Sequence, residues 1–379
     1  MDSRTRILKA MNMEYPDRVP LMCQFSIGFM NQQLKDYGIT PMELWLDANR
    51  YAEALCCLRE LCGFDGILAS VHGHHANWKE QINRVQIIEG IEVAYYNDRM
   101  EKYPDNDLPS AQFFDETKKN IEEVNPDHLP DDLDYLWGSA DCLVKIDSAN
   151  PYRVFDELEV LLKKQFSIHG EVSSPLDYLL YLVGFENALM AMLLYPEKCK
   201  LILQKFANGV IKMAKGLCRN TDIDAIKISS PFAGMGFISP EQYREFEHPY
   251  VSQIVKAVKE ENKHVYIHTC GHINDRLELI RDTGITGLEC LDPPPIGNVE
   301  LEDAFKRIGK NVFIKGNIDS VNTLLNASEE KLVDDVKKII NTGMANKGFI
   351  LSTACSIAPK VSLDRIQLLH RMVKRYGYY

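Results

Sequence analysis

No uncharged apolar run in this sequence is long enough to cross a bilayer, so no membrane-spanning helix is expected. The opening residues, MDSRTRILKAMNMEYPDRVP, carry charges throughout and contain no apolar core of signal-peptide length, and the expected location is the cytoplasm. Clusters of Lys and Arg are missing as well. With a formal net charge of −11 over 379 residues and no basic cluster, the chain has no surface suited to a phosphate backbone, which argues against nucleic acid as a partner. CxxC pairs are absent, and the 10 cysteines fall at irregular intervals in a chain too long for a small disulfide scaffold. Most are therefore expected as reduced core thiols, with Cys56, Cys57, Cys62, Cys199 and Cys218 in apolar stretches of helical period. No low-complexity linker divides the chain. Length alone allows one large barrel or two ordinary domains, and the partner left by these exclusions is a small molecule or another protein.

What is present is an alternation. Short β-rich runs recur between longer segments of helical period: Arg18 to Cys23, Asp65 to Ser70, Phe166 to Glu171, Asp224 to Ser229, His264 to Thr269, Gly287 to Cys290, Val312 to Asn317, and Phe349 to Thr353. Repeated βα units imply a parallel sheet, and this number of units closes a (β/α)8 barrel. The expected fold is α/β, a TIM barrel with an N-terminal helical segment, forming a single domain over 1–379. Ser239-Pro240-Glu241-Gln242 offers an N-cap serine, a proline at the first helical position and a capping-box glutamine ahead of YREFEHPYVSQIVKAVKEEN. Gly284 and Gly343 read as helix stops. Residues 72–164 break the rhythm, being rich in Asp, Asn, Pro and Tyr, with a hairpin turn at Glu89-Gly90; they read as an insertion on the rim, a lid over the site.

His268 and Cys270, in HVYIHTCGH, and Cys355, in GFILSTACS, each sit where an apolar run stops, and a parallel barrel brings such positions to one rim. One imidazole and two thiolates form a zinc donor set that leaves a fourth position for water, a carboxylate or substrate. Such an ion holds a substrate thiol as thiolate at neutral pH, or polarises the leaving group of a methyl donor. By spacing alone, the same residues read equally as unrelated polar groups at strand ends. Glu289, in GLECLDPP, is the candidate catalytic residue, as a displaceable fourth ligand or else a solvated rim carboxylate. Asp292 competes for that role, and Cys290 is expected to point away from the lumen if Glu289 points in. His72 and His74, in SVHGHHANW, share a face only in an extended geometry that Gly73 disfavours, so substrate contact or a polar loop is expected there rather than a second metal. Trp78 offers a pocket floor for a flat ligand, or rim packing. Among the remaining strand-end groups, Glu171, Ser229 and Asn317 are candidates for substrate contact.

The stretches RTRILKAMNMEYPDRVPLM, GEVSSPLDYLLYLVGFENALMAMLLYPEKCKLIL, ISPEQYREFEHPY, IHTCGHI, IKGNID and FILSTACSIAPKVSLDRI resemble the uroporphyrinogen decarboxylase superfamily across nearly the whole chain. The resemblance implies a (β/α)8 barrel. Within the superfamily, the corrinoid-dependent methyltransferase branch carries an HxCG motif and a late cysteine that bind catalytic zinc, and His268, Cys270, Gly271 and Cys355 match those positions. It implies a zinc-dependent methyltransferase that moves a methyl group between a corrinoid protein and a zinc-activated small substrate, either a thiol acceptor or a methoxy or methylthio donor. The corrinoid is expected on a separate partner, because this chain shows no DxHxxG-like signature of its own. The alternative is a decarboxylase-like lyase acting on a carboxylated substrate. That enzyme holds its many carboxylates with an arginine-rich segment after the opening strand, where this chain has no arginine between Arg18 and Arg50.

Overall fold

Aliphatic and polar side chains alternate along the parallel strands, and in the computed structural model of the chain the two sets face opposite ways. The structure describes every residue except 71, 72, 74, 116, 117, 140 and 141, and the backbone alone at 137–139 and 143. Seven strands form one parallel sheet in chain order: β1 (Gly66–Ala69), β2 (Ser167–Ser173), β3 (Ala225–Ser229), β4 (His264–Thr269), β5 (Gly287–Cys290), β6 (Phe313–Ile318) and β7 (Phe349–Thr353). Their outward side chains Ile67, Ile226, Ile228, Val265, Ile267, Leu288, Ile314 and Leu351 are 1% exposed or less. Each such burial is worth roughly 1.5–3 kcal/mol, which is what fastens the helices to the sheet.

The opening run expected as a strand, Arg18 to Cys23, is not one. It closes the curl through single bridges: Leu21 pairs in parallel with Leu351, Met22 N–H donates to the Leu351 carbonyl at 3.0 Å, and Asp65 N–H donates to the Leu21 carbonyl at 2.8 Å. Pro20 is the physical reason, since it accepts from Leu351 N–H but has no N–H with which to continue a ladder. The result is a TIM-barrel-like α/β fold. Its lower end is plugged by α1 (Ser3–Met11), whose Ile7, Ala10 and Met11 pack on Met22, Leu68, Ala225, Tyr266, Phe313 and Ile350. Among the described residues no single helix is long and apolar enough to cross a membrane.

The capping box forms as expected, Ser239 Oγ accepting from Gln242 N–H and the Gln242 side chain accepting from Ser239 N–H. The helix behind it does not run through to the end. It divides into Pro240–Phe246 and His248–Glu260, with Glu247 at φ −121° between them, because Pro249 has no N–H for the turn that would join them. Gly284, at φ 88°, follows a helix end as expected. Gly343 instead lies inside the helix Glu329–Met344, where a Cβ would run into the Phe349 ring, so close approach and not termination explains it. Between β1 and β2, four antiparallel strands (Arg84–Ile88, Ile91–Tyr95, Arg99–Tyr103, Ser110–Phe113) and a ribbon (Tyr135–Ser139 with Cys142–Lys145) fall within 72–164. The first hairpin turns at Glu89 and Gly90, whose φ values of 53° and 83° suit a two-residue turn matched to strand twist.

Candidate metal centre

The site follows from register. Parallel pairing sets Glu171 beside Lys227, Ser229 beside His268, His268 beside Glu289, and Glu289 beside Lys315. These polar side chains fill the upper barrel, where Glu171, His268 and Glu289 each find a partner on the next strand. His268 Nδ1 lies 2.9 Å from Glu289 Oε2, and Lys315 Nζ pairs with the other oxygen of the same carboxylate. Nδ1 is thereby committed as a donor, and Nε2 is the ring atom left for the mouth. It stands 3.2 Å from Cys270 Sγ, which is 3.8 Å from Cys355 Sγ.

This donor set fits zinc. Two thiolates on a tetrahedral zinc at about 2.3 Å would lie about 3.8 Å apart, the separation that Cys270 and Cys355 already hold. A ligating histidine also needs an acceptor on its second nitrogen, and Glu289 supplies it. Glu289, anticipated as a displaceable fourth ligand, therefore has both oxygens engaged and only 1% exposure. Asp292 is also engaged, accepting from Gly271 N–H at 2.7 Å and from the Cys290 thiol at 3.2 Å.

Cys290 departs from expectation. Strict alternation would turn it away from the lumen, but φ is 84° at Cys290 and 55° at Leu291, so the strand end twists out of extended geometry. The ligand atoms of Cys290, His268 and Cys270 consequently lie within 4.8 Å of one another. Sequence reasoning missed this thiol because a left-handed pair at a strand end leaves no periodicity to read.

Charge in this layer is set by burial and by pairing. Burial opposes ionisation of Glu289, but Lys315, His268 and Lys227 outweigh it and hold the carboxyl well below the usual carboxylate range. Burial and Lys227 oppose protonation of His268, yet hydrogen bonds with Cys355 and Glu289 raise its pKa to about 9. The neighbouring thiols of Cys290 and Cys355 hold Cys270 well below the ordinary thiol value despite burial. Lys227 is buried, and Glu171, at 2.8 Å, and Glu289 keep it charged. These lysines sit mid-strand in apolar runs, and only the register shows that acids stand beside them.

A cavity of about 260 Å³ opens over these groups. His268, Cys270 and Cys355 meet there, and Glu171 and Ser229 line the same space with Lys227, Gln24 and Tyr51. Leu108, Leu136 and Val144, from the 72–164 segment, form part of its apolar wall. The other candidates lie elsewhere. Trp78 is buried, donates from Nε1 to Asp47 Oδ2 at 3.4 Å, and borders a separate hollow with Tyr96 and Arg99. Asn317 is turned into the wall, where its amide donates to the Leu291 carbonyl at 3.1 Å. His72 and His74 fall outside the described residues.

The uroporphyrinogen decarboxylase (URO-D) family model matches residues 128–376. The chain belongs to the uroporphyrinogen decarboxylase family. Two relatives named methylcobamide:CoM methyltransferase MtbA come from Methanosarcina species. The one from M. acetivorans is 27% identical over 57% of this chain and 60% of its own length; the one from M. mazei is 23% identical over 99% and 98%. A uroporphyrinogen decarboxylase of Ruthia magnifica is 24% identical over 69% of this chain and 71% of its own. Among solved structures, a methyltransferase from Methanosarcina mazei superposes with a TM-score of 0.73 at 18% identity, over 99% of each chain. Relatives named for two different activities thus resemble this chain, and the groups at the cavity are what must separate them.

Proposed function

We propose that the protein is a zinc-dependent methyltransferase that moves a methyl group between a corrinoid protein and a small substrate held in the 260 Å³ cavity. The observation that carries this reading is the meeting of His268 Nε2, Cys270 Sγ and Cys355 Sγ at the cavity, with the sulfurs 3.8 Å apart. Zinc held there would stabilise a thiol acceptor as thiolate, or polarise the leaving group of a methoxy or methylthio donor. Glu289, itself held by Lys315, fixes the plane and tautomer of His268, and the Glu171–Lys227 pair braces the floor beside it. Leu108, Leu136 and Val144 keep water from one side of the cavity, in keeping with a lid role for 72–164. The relatives named methylcobamide:CoM methyltransferase support a corrinoid protein as partner.

The decarboxylase alternative fits the cavity less well. Among the described lining residues there is no arginine, and Lys227 is already paired with Glu171, so a substrate carrying many carboxylates finds little to bind it. Metal analysis tests the proposal. The purified protein should hold about one zinc per chain, and His268→Ala or Cys355→Ala should lose most of it with the circular dichroism unchanged. A folded wild-type protein that takes up no zinc would remove the reading. The direction of transfer is then read from the visible spectrum of a corrinoid protein mixed with candidate thiols and methyl donors.

A further inference from the structure

The antiparallel sheet of the 72–164 segment ends in an unguarded strand. Arg84–Ile88 lies at the edge, paired among the described residues with Ile91–Tyr95 alone, and every one of its residues is exposed. Val85, Ile87 and Ile88 show 43%, 65% and 45% of their surface. The two-residue turn at Glu89 and Gly90 makes Ile88 and Ile91 a hydrogen-bonded pair, and alternation then makes Gln86 with Val93 and Arg84 with Tyr95 the next such pairs. Val85 and Ile87 therefore aim their backbone N–H and C=O groups away from the sheet. Edge strands are commonly guarded by lysine or proline, and neither stands in Arg84–Ile88. Its one charge, Arg84, is folded back over its own sheet, with the guanidinium 4.3 Å from the Tyr95 ring. Beside the strand opens a hollow of about 430 Å³ bordered by Met42, Ile82, Val85 and Glu92.

We propose that Arg84–Ile88 is the pairing surface between two copies of this chain, joined antiparallel about a two-fold axis at Gln86 so that their two sheets become one. With Gln86 opposite Gln86, Val85 of each copy stands opposite Ile87 of the other, and these pairs exchange N–H···O=C bonds that use the outward backbone groups of both residues. The ends of the strand complement each other as well. Arg84 of one copy meets Ile88 and the adjoining Glu89 of the other, whereas parallel pairing would set arginine beside arginine. Val85, Ile87 and Glu92 share one face of the sheet, the face on which the hollow opens, so Ile87 of the second copy is an apolar side chain placed to enter it beside Met42 and Ile82. Both copies use the same edge, and association therefore stops at two chains. This pairing needs no metal and is independent of the methyl-transfer reading. Leu108, from the same segment, walls the cavity, so the pair would tie together the segments that cover two cavities.

Sedimentation velocity of the full chain tests this. The wild-type protein should sediment as a pair of chains and Ile87→Pro as a single chain, because the proline removes an outward N–H and no bond to Ile91–Tyr95. Val85→Lys, which sets a charge opposite Ile87, should separate the copies in the same way and decides the matter if Ile87→Pro does not fold. Gln86→Cys reads the register. Directly opposed residues of a non-hydrogen-bonded pair have Cα atoms about 4.5 Å apart, within reach of a disulfide, so mild oxidation should link two copies of this variant far more than two copies of Ile88→Cys. A wild-type protein that sediments as a single chain at every concentration overturns the inference; if Val85→Lys then weakens binding of a corrinoid protein, the edge belongs to that partner instead. A pair that survives both Ile87→Pro and Val85→Lys places the contact on another surface. Equal linking of Gln86→Cys and Ile88→Cys overturns the two-fold at Gln86.

Discussion

At Glu289 one carboxylate oxygen faces an imidazole and the other an ammonium, with both partners buried. A group so placed sets which nitrogen of His268 keeps its proton and holds the ring where Nε2 meets the cysteines. Outer partners of this kind are worth about 10- to 100-fold in metal affinity. Glu289→Gln keeps the shape but replaces one acceptor oxygen with an amide that cannot accept from His268 and faces it or Lys315 with another donor. Chelator competition should find the zinc dissociation constant raised by about 10- to 100-fold, with full uptake retained at saturating zinc. An unchanged constant would show that Glu289 does not hold the imidazole. His268, Cys270 and Cys355 were legible as residues because each stands where an apolar run ends. The role of Glu289 was not, because its two partners lie on neighbouring strands and only the register identifies them. Cys290 escaped for a different reason, since its direction depends on two backbone torsions that depart from the strand pattern.

Between the helices Pro240–Phe246 and His248–Glu260, the break places Glu247 behind the tips of β2 and β3. Its carboxyl accepts from Ser230 Oγ at 2.6 Å and from Ser174 Oγ at 3.4 Å, so one residue ties a helix pair to the strand ends that border the cavity. Burial raises its pKa from 4.5 to about 7, against the smaller pull of the two hydroxyls. The folded chain therefore keeps a proton that the unfolded chain releases above pH 4.5, and stability falls as pH rises through the window from 4.5 to about 7. The loss is about 3 kcal/mol. Glu247→Gln removes the ionisation, so its melting temperature relative to wild type should improve steadily between about pH 5 and about pH 8. Parallel curves for the two proteins would place the effect on another group. This break was not legible from helical period, which runs through Glu247 without interruption; the signal was Pro249. The capping box ahead of it was legible because it is local, needing only Ser239 and Gln242. Gly343 misled for the opposite reason, its purpose being a ring on the next strand and not a turn in its own helix.

Over the whole molecule, the barrel must be closed without a regular first strand, and Asp65 is where closure converges. Its carboxylate takes Arg6 at 2.6 Å, Arg18 at 3.0 Å, the Ser3 hydroxyl at 2.8 Å and the backbone N–H of Leu21 at 2.9 Å. One side chain thus joins the plugging helix, the bridging segment and the start of β1. Eight β-rich runs could be counted in the sequence, but the one containing Pro20 needed this carboxylate to do what a hydrogen-bonded ladder does elsewhere. Asp65 is 1% exposed, so Asp65→Ala leaves Arg18 buried without its acid, whereas Arg6 keeps Asp17. Removing one partner of a buried pair costs about 3–5 kcal/mol, against about 0–1 kcal/mol for an exposed pair such as Lys306–Glu302. Urea unfolding should therefore show an unfolding free energy lowered by that amount for Asp65→Ala, and no measurable change for Glu302→Ala. If the Asp65 variant unfolds within about 1 kcal/mol of wild type, closure is carried by the backbone bridges of Leu21 and Met22 and by the apolar packing of α1 instead.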